Sequence, residues 1–239
     1  MSRATFRTGP IPFAIPPLRP RLLPLFPLPL VLFPRAPLPL HVFEPRYRQL
    51  LADCLSSDRQ FGVICRPETA AEQDIEPGSV GCVARIETAE QLPDGRSNIM
   101  VSGGERFRLL RFAPEPAPYH VGEVDPYDDE PEPVAMLHPL ADRLREVFQR
   151  VGRSARAIAD DASPLPDLPD DPAEISFSVA QYIDLDLELK QELLASQSPA
   201  DRLQKLTELL DDVVPRIEQR AARHVRARGN GQGPHVEAS

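Results

Sequence analysis

Five histidines (His41, His120, His138, His224, His235), three cysteines (Cys54, Cys65, Cys82) and two lysines (Lys190, Lys205) are the side chains of this 239-residue chain best suited to chemistry at neutral pH. Their spacing does not assemble a reaction centre. The histidines form no H-E-x-x-H and no other close ligand spacing, and the cysteines no C-x-x-C, so no metal site is assigned. An odd cysteine count also fits no disulfide framework; the three read as buried free thiols in a reducing compartment. Ser79, in Gly78-Ser79-Val80-Gly81, lacks the G-x-S-x-G frame and reads as a turn that opens a strand. Gly229, Gly231 and Gly233 have no strand before them and no helix after, so they are not a phosphate cradle. There is no G-x-x-x-x-G-K-[ST], and neither lysine is near a glycine-rich loop, which excludes P-loop ATP hydrolysis within this sequence. His41 lies in an apolar strand pattern and reads as a packed or hydrogen-bonded histidine. No catalytic residue and no cofactor is assigned, and the chain reads as a non-enzyme. An unfamiliar enzyme would instead show a polar pocket with His41 or His120 beside a carboxylate.

Charge narrows the partner classes. Thirty-six acidic residues against 27 basic give a net charge of −9, which argues against a general nucleic-acid binder. The best basic patch is Arg216, Arg220, Arg223, Arg226 and Arg228. It falls at a helix C-terminus, where cations complement the macrodipole; contact with an acidic partner or RNA is the alternative. Apolar residues make up 41% of the chain, as in globular proteins. The apolar run from Arg21 to Phe33 is too short for a membrane span and is interrupted by Pro24, Pro27 and Pro29, so it reads as folded structure in a cytoplasmic protein.

The positioning elements follow from periodicity. Twelve of the 29 prolines fall in the first 45 residues, which predicts tail, turns or edge strands there and no helix. Short extended segments are expected at Leu22 to Phe26 and Leu38 to Phe43. Pro45 then opens a helix with the stripe Tyr47, Leu50, Leu51, Cys54 and Leu55. Strands follow at Phe61 to Cys65 and from Val80 to Ile86. Asp94-Gly95 makes a tight hairpin, and Asn98 to Val101 returns from it. Gly103-Gly104 is expected to break that strand; Phe107 to Phe112 and Tyr119 to Val124 complete the set. Strands at this spacing with one embedded helix predict a small closed or half-closed β-barrel. The acidic run Asp125 to Pro133 reads as a solvated linker. Beyond it the period becomes helical: Leu137, Leu140, Leu144, Val147 and Val151; then Ile175, Val179, Tyr182 and Ile183 behind the Asp171-Pro172-Ala173-Glu174 capping box; then Leu203, Leu206, Leu210, Val213 and Ile217 behind Ser198, with Pro215 kinking the last helix. The domain reading is a disordered leader over 1–20, a β-barrel subdomain over 21–127, a helical subdomain over 134–228 and a tail over 229–239, which is an α+β class.

Several of these motifs together carry a resemblance. Leu23-Pro24-Leu25-Phe26-Pro27-Leu28, Leu32-Phe33-Pro34, Pro39 to Tyr47, Phe61-Gly62-Val63, Gly81 to Ile86, Leu92 to Arg96, Gly104-Glu105-Arg106-Phe107-Arg108, Leu189-Lys190-Gln191-Glu192-Leu193-Leu194 and Arg202-Leu203 stand in one order. In that order they resemble the N-terminal, or substrate-binding, domain of the Lon proteases, above all its stand-alone bacterial members, over roughly Leu22 to Ile217. The resemblance implies a PUA-like β-barrel followed by a helical subdomain, and a role in recognising polypeptide substrates. It does not carry protease activity over, because the P-loop is missing and neither lysine lies in anything like the Lon protease motif.

The expected function is therefore a non-catalytic binding module for unfolded or exposed polypeptide segments in protein quality control. Phe26, Leu28, Leu30, Val31, Leu32 and Phe33 are the candidate contacting residues, being more apolar side chains between prolines than a small barrel need hide. The alternatives are an RNA-binding PUA-like module and a regulator or adaptor with a separate protease as partner. No membrane contact is expected.

Overall fold

The computed structural model describes residues 20–67, 69, 74–114 and 117–229. The expected leader and tail, apart from residues 20 and 229, lie outside them. Six strands come first: β1 (Arg21–Leu28), β2 (Pro37–Val42), β3 (Gln60–Cys65), β4 (Val80–Gln91), β5 (Ser97–Phe112) and β6 (His120–Pro126), with α1 (Pro45–Leu55) between β2 and β3. Four helices follow: α2 (Val134–Ala159), α3 (Pro172–Ala180), α4 (Leu187–Ala195) and α5 (Pro199–Gly229).

The sheet order is β2-β5-β4-β3-β1-β6, and β6 also pairs with β5. Five strands thus close a ring, and β2 is added to its rim along the first half of β5. One buried cluster takes Leu23 and Leu25 from β1, Ile64 from β3, Val83 from β4, Phe107 and Leu109 from β5, and Val124 from β6, with nothing from β2. It fills the ring. A larger cluster runs without interruption from Phe26, Tyr47 and Phe61 through Leu32 and Phe33 to Phe177, Leu203 and Val214, so barrel and helices share one core.

The prolines of β1 are not on an edge strand, which corrects the sequence expectation. β1 runs parallel to β3 from Leu25 to Leu28 and antiparallel to β6 from Arg21 to Leu25. Pro24 therefore lies where β3 has not begun, and Pro27 where β6 has ended. Each missing N–H falls on a side with no ladder to serve. Gly103-Gly104 does not break β5 either; the strand runs through it for 16 residues. Gly103 is needed because the 33–36 segment presses against it. Its N–H donates to the Ala36 carbonyl (2.9 Å), it accepts from the Arg35 N–H (2.8 Å), and a Cβ there would stand 2.0 Å from the Phe33 carbonyl oxygen. In the hairpin only Gly95 has a positive φ, of 83°.

The helix signals hold with two shifts. Asp171 caps α3 by accepting from the Ala173 N–H, while Glu174 reaches out to Arg35 at 2.6 Å. Ser198 Oγ accepts from the Asp201 N–H at 3.1 Å. Tyr182 lies past the end of α3 and is 53% exposed. On α5, Val214 is buried and Val213 is not. At roughly 100° per residue, Val214 comes back to within about 20° of Leu203, whereas Val213 points about 80° away.

The acidic linker is not wholly solvated. Asp129 accepts from Arg106 on β5 (2.5 Å) and from both Nη atoms of Arg202 on α5 (2.6 and 2.8 Å). Arg202 also donates to Ser176 Oγ and to the carbonyls of Ser196 and Ala173. Arg106 donates to the carbonyls of Leu194 and Ser196. Both guanidinium groups lie against the Phe177 ring, at 5.2 and 4.1 Å. One carboxylate thus fastens the barrel to the helices.

Candidate functional site

The candidate site is a groove of about 320 Å³ where β1 ends, β2 passes and α1 begins. Pro45 at the start of α1 requires an extended residue before it. Glu44 supplies it at φ −66°, ψ 136°, and Phe43 is left 59% exposed at the rim. Beneath it Tyr47 stacks on Phe26 with centroids 4.0 Å apart, and Phe61 lies 5.9 Å from Phe26. The floor is therefore aromatic and held from three elements. Leu28 and Leu40 form the apolar sides.

The polar groups lining it include His41, Glu44, Arg46 and Arg66. Arg46 is tied to Glu44 (3.0 Å) and lies over the Tyr47 ring at 4.6 Å. His41 bonds through Nδ1 to Asn98 Oδ1 (2.7 Å), and its Nε2 lies 3.4 Å from Arg96. Neither ring nitrogen meets a carboxylate there, so the His41 pairing does not make a general base. Burial, reinforced by Asp58 and Asp53, pushes the Cys54 thiol up to about 12. Burial does the same to Cys82 and raises Cys65, which is half-buried. None of the three is a ready thiolate. Among the described residues no three His, Cys, Asp or Glu side chains gather to hold a metal, and no helix is long and apolar enough to cross a membrane. What the groove offers is an apolar surface with a polar rim.

Of the six residues expected to contact polypeptide, Phe26, Leu32 and Phe33 are buried, at 7%, 3% and 2% exposure. They belong to the shared core, and only Phe26 reaches the groove floor. Leu28, Leu30 and Val31 are half-buried against that core, and Leu28 lines the groove. Sequence reasoning passed over Leu40, Phe43 and Tyr47. The readable signal was an aromatic residue just ahead of a helix-opening Glu-Pro pair, where the turn prevents it from following the strand inward. On α5, Arg228 pairs with Asp160 and Arg216 reaches the Asp212 carbonyl, while Arg220, Arg223 and Arg226 are exposed.

Residues 22–212 match the family described as the ATP-dependent protease La (LON) substrate-binding domain. The chain is 28% identical over 189 residues to Lon protease 1 of Syntrophobacter fumaroxidans, covering 77% of this chain and 23% of that protein. It is 29% identical over 199 residues to the Lon protease of Trichlorobacter lovleyi, covering 80% and 24%. It spans about a quarter of the length of the curated relatives it matches. Among solved structures, a Lon N-terminal domain protein from Xanthomonas campestris superposes with a TM-score of 0.53 at 29% identity, over 78% of this chain and 96% of that one. The N-terminal domain of a Mycobacterium avium complex Lon protease gives 0.59 at 20% identity over 80% and 99%, a likeness of fold.

Proposed function

The chain belongs to the Lon substrate-binding domain family, and on that premise we propose that it is a non-catalytic module that binds unfolded or exposed polypeptide segments in protein quality control. The observation that carries this reading is the groove beside Phe43: an aromatic floor, aliphatic sides and an exposed aromatic rim residue. Apolar grooves of this kind take the side chains of extended segments and discriminate little among them.

Side chains, not backbone, do the recognising here. Among the described residues β2 pairs only with β5, and none of them adds a strand to its other edge. Pro37 and Pro39 alternate along it and have no N–H to offer, which blunts that edge. A bound segment would therefore lie over Leu28, Leu40 and Phe43 instead of extending the sheet.

Fluorescence titration with a reduced, carboxymethylated globular protein tests this. Saturable binding is expected, and Phe43→Ser combined with Leu28→Asp should weaken it about tenfold or more, since the pair removes much of the apolar contact. Absence of saturable binding by the native chain would overturn the reading.

A further inference from the structure

A second cleft, of about 550 Å³, lies on another part of the molecule, between the β3 end and β4 start on one side and the N-terminal turns of α4 on the other. Ile64, Val80 and Leu187 make its walls apolar. Gln191 stitches the two sides together: its Nε2 donates to the Val80 carbonyl at 2.9 Å. That bond fixes which end of the amide is which, because a carbonyl can only accept. The other end, Oε1, is buried and has no hydrogen-bond partner among the described residues. A buried acceptor left without a donor destabilises the fold, and a donor supplied by a ligand relieves that cost. The rim adds Asp186 and Glu188, both exposed, and the described lining residues include no cation. Asp186 also caps α4 by accepting from the Leu189 N–H.

These features define a complement: an apolar body, one hydrogen-bond donor and positive charge alongside. An extended polypeptide with an apolar residue between basic ones has all three. We propose that this cleft is a second polypeptide contact, in which an apolar side chain enters between β4 and α4, a backbone N–H of the bound segment donates to Gln191 Oε1, and flanking basic residues meet Asp186 and Glu188. The proposal rests on the polypeptide-binding reading but uses none of the groove at Phe43. It gives the module a preference that the first groove lacks, for apolar stretches flanked by arginine or lysine.

Cys65 lines the cleft and is half-buried, whereas Cys54 and Cys82 are buried, so Cys65 serves as a reporter and the other two as internal references. The probe is an acetylated, amidated pentapeptide, Arg-Leu-Phe-Leu-Arg, added to the whole chain during iodoacetamide labelling read by mass spectrometry. It should slow Cys65 alkylation saturably and leave Cys54 and Cys82 unchanged. N-methylation of its backbone amides should weaken the protection about threefold to tenfold, the worth of one hydrogen bond. Exchange of its arginines for aspartates should weaken it further. Gln191→Met should abolish the difference between the plain and N-methylated peptides. The N-methyl comparison on the native chain stands even if that variant folds poorly. No protection of Cys65, or equal protection by the plain and N-methylated peptides, overturns the proposal. If the unfolded protein still binds in a Phe43-dependent manner while Cys65 stays unprotected, the second contact falls and the first reading stands.

Discussion

Where the barrel meets the helices, the side chains of Arg106 and Arg202 are 4% and 0% exposed and share Asp129. Along the seam of α2 and α5, Arg143 and Arg150 are 44% and 34% exposed and reach Asp211 and Glu218 singly. Both pairs of contacts cross between elements distant in sequence, yet they do different things. In the seam, Leu144, Val147, Leu206 and Leu210 already supply a buried apolar contact, and water screens the ion pairs laid over it. At the junction two cations are withdrawn from water, and one carboxylate with a set of carbonyls must replace it. The seam would survive without its charges. The junction is defined by them, and it sets how α4 and α5 sit against β4 and β5, hence the shape of the cleft at Gln191.

The largest expected effect is at Asp129. Asp129→Asn leaves two buried guanidinium groups side by side without a counter-charge, and should cost about 3–5 kcal/mol in denaturant unfolding. A cost no greater than that of a surface substitution would erase the contrast drawn above. A double-mutant cycle on Arg143→Ala and Asp211→Ala should give a far smaller coupling, and it should fade in high salt. A coupling that matched the Asp129 effect and persisted in salt would show that the seam too depends on charge.

The smallest effect is expected at the far end of the seam. A hydrogen bond from His224, with help from Arg228, holds the Asp160 carboxyl below its ordinary value of 3.8. A carboxylate with a lowered folded value contributes stability that is present above its unfolded value and lost as pH falls through the folded one. Helicity of the native chain should therefore exceed that of Asp160→Asn slightly at neutral pH. The difference should disappear in acid, as followed by circular dichroism. A difference that grew on acidification would reverse the sign of the argument.

Much of the fold was legible because local signals agreed with tertiary demand. Pro45 at the head of α1, Asp94-Gly95, the Asp171 cap and the 3–4 stripe of α2 all describe what their own neighbours must do. The misreadings share a cause: each depended on a partner remote in sequence. Gly103-Gly104 looked like a strand break because the segment that presses on it, Phe33 to Ala36, lies some seventy residues earlier. Asp129 sits among four other carboxylates between residues 125 and 132 (Asp125, Asp128, Glu130 and Glu132), and nothing local marks it as the one two arginines share. The candidate stretch Phe26 to Phe33 was apolar for two reasons at once, core and groove. Alternation alone could not separate Leu28, at the groove, from Leu32 and Phe33 beneath the helices. Arg106, Gln191 and Arg202 stood in the motifs that carried the family resemblance, and the structure supplies the reason those side chains matter: they hold the two halves of the domain together.

The ring closes through its first and last strands, since Arg21 to Leu25 pair with His120 to Val124. This has a consequence for synthesis on the ribosome. A nascent chain that has emerged only as far as the β4–β5 hairpin can form local pairings, but β1 must wait about a hundred residues for its antiparallel neighbour. During that interval an apolar strand edge is open to other chains. The clamp at Asp129 waits longer still, for Arg202 on the last helix. A module proposed to recognise unfinished proteins thus passes through a long interval as one itself.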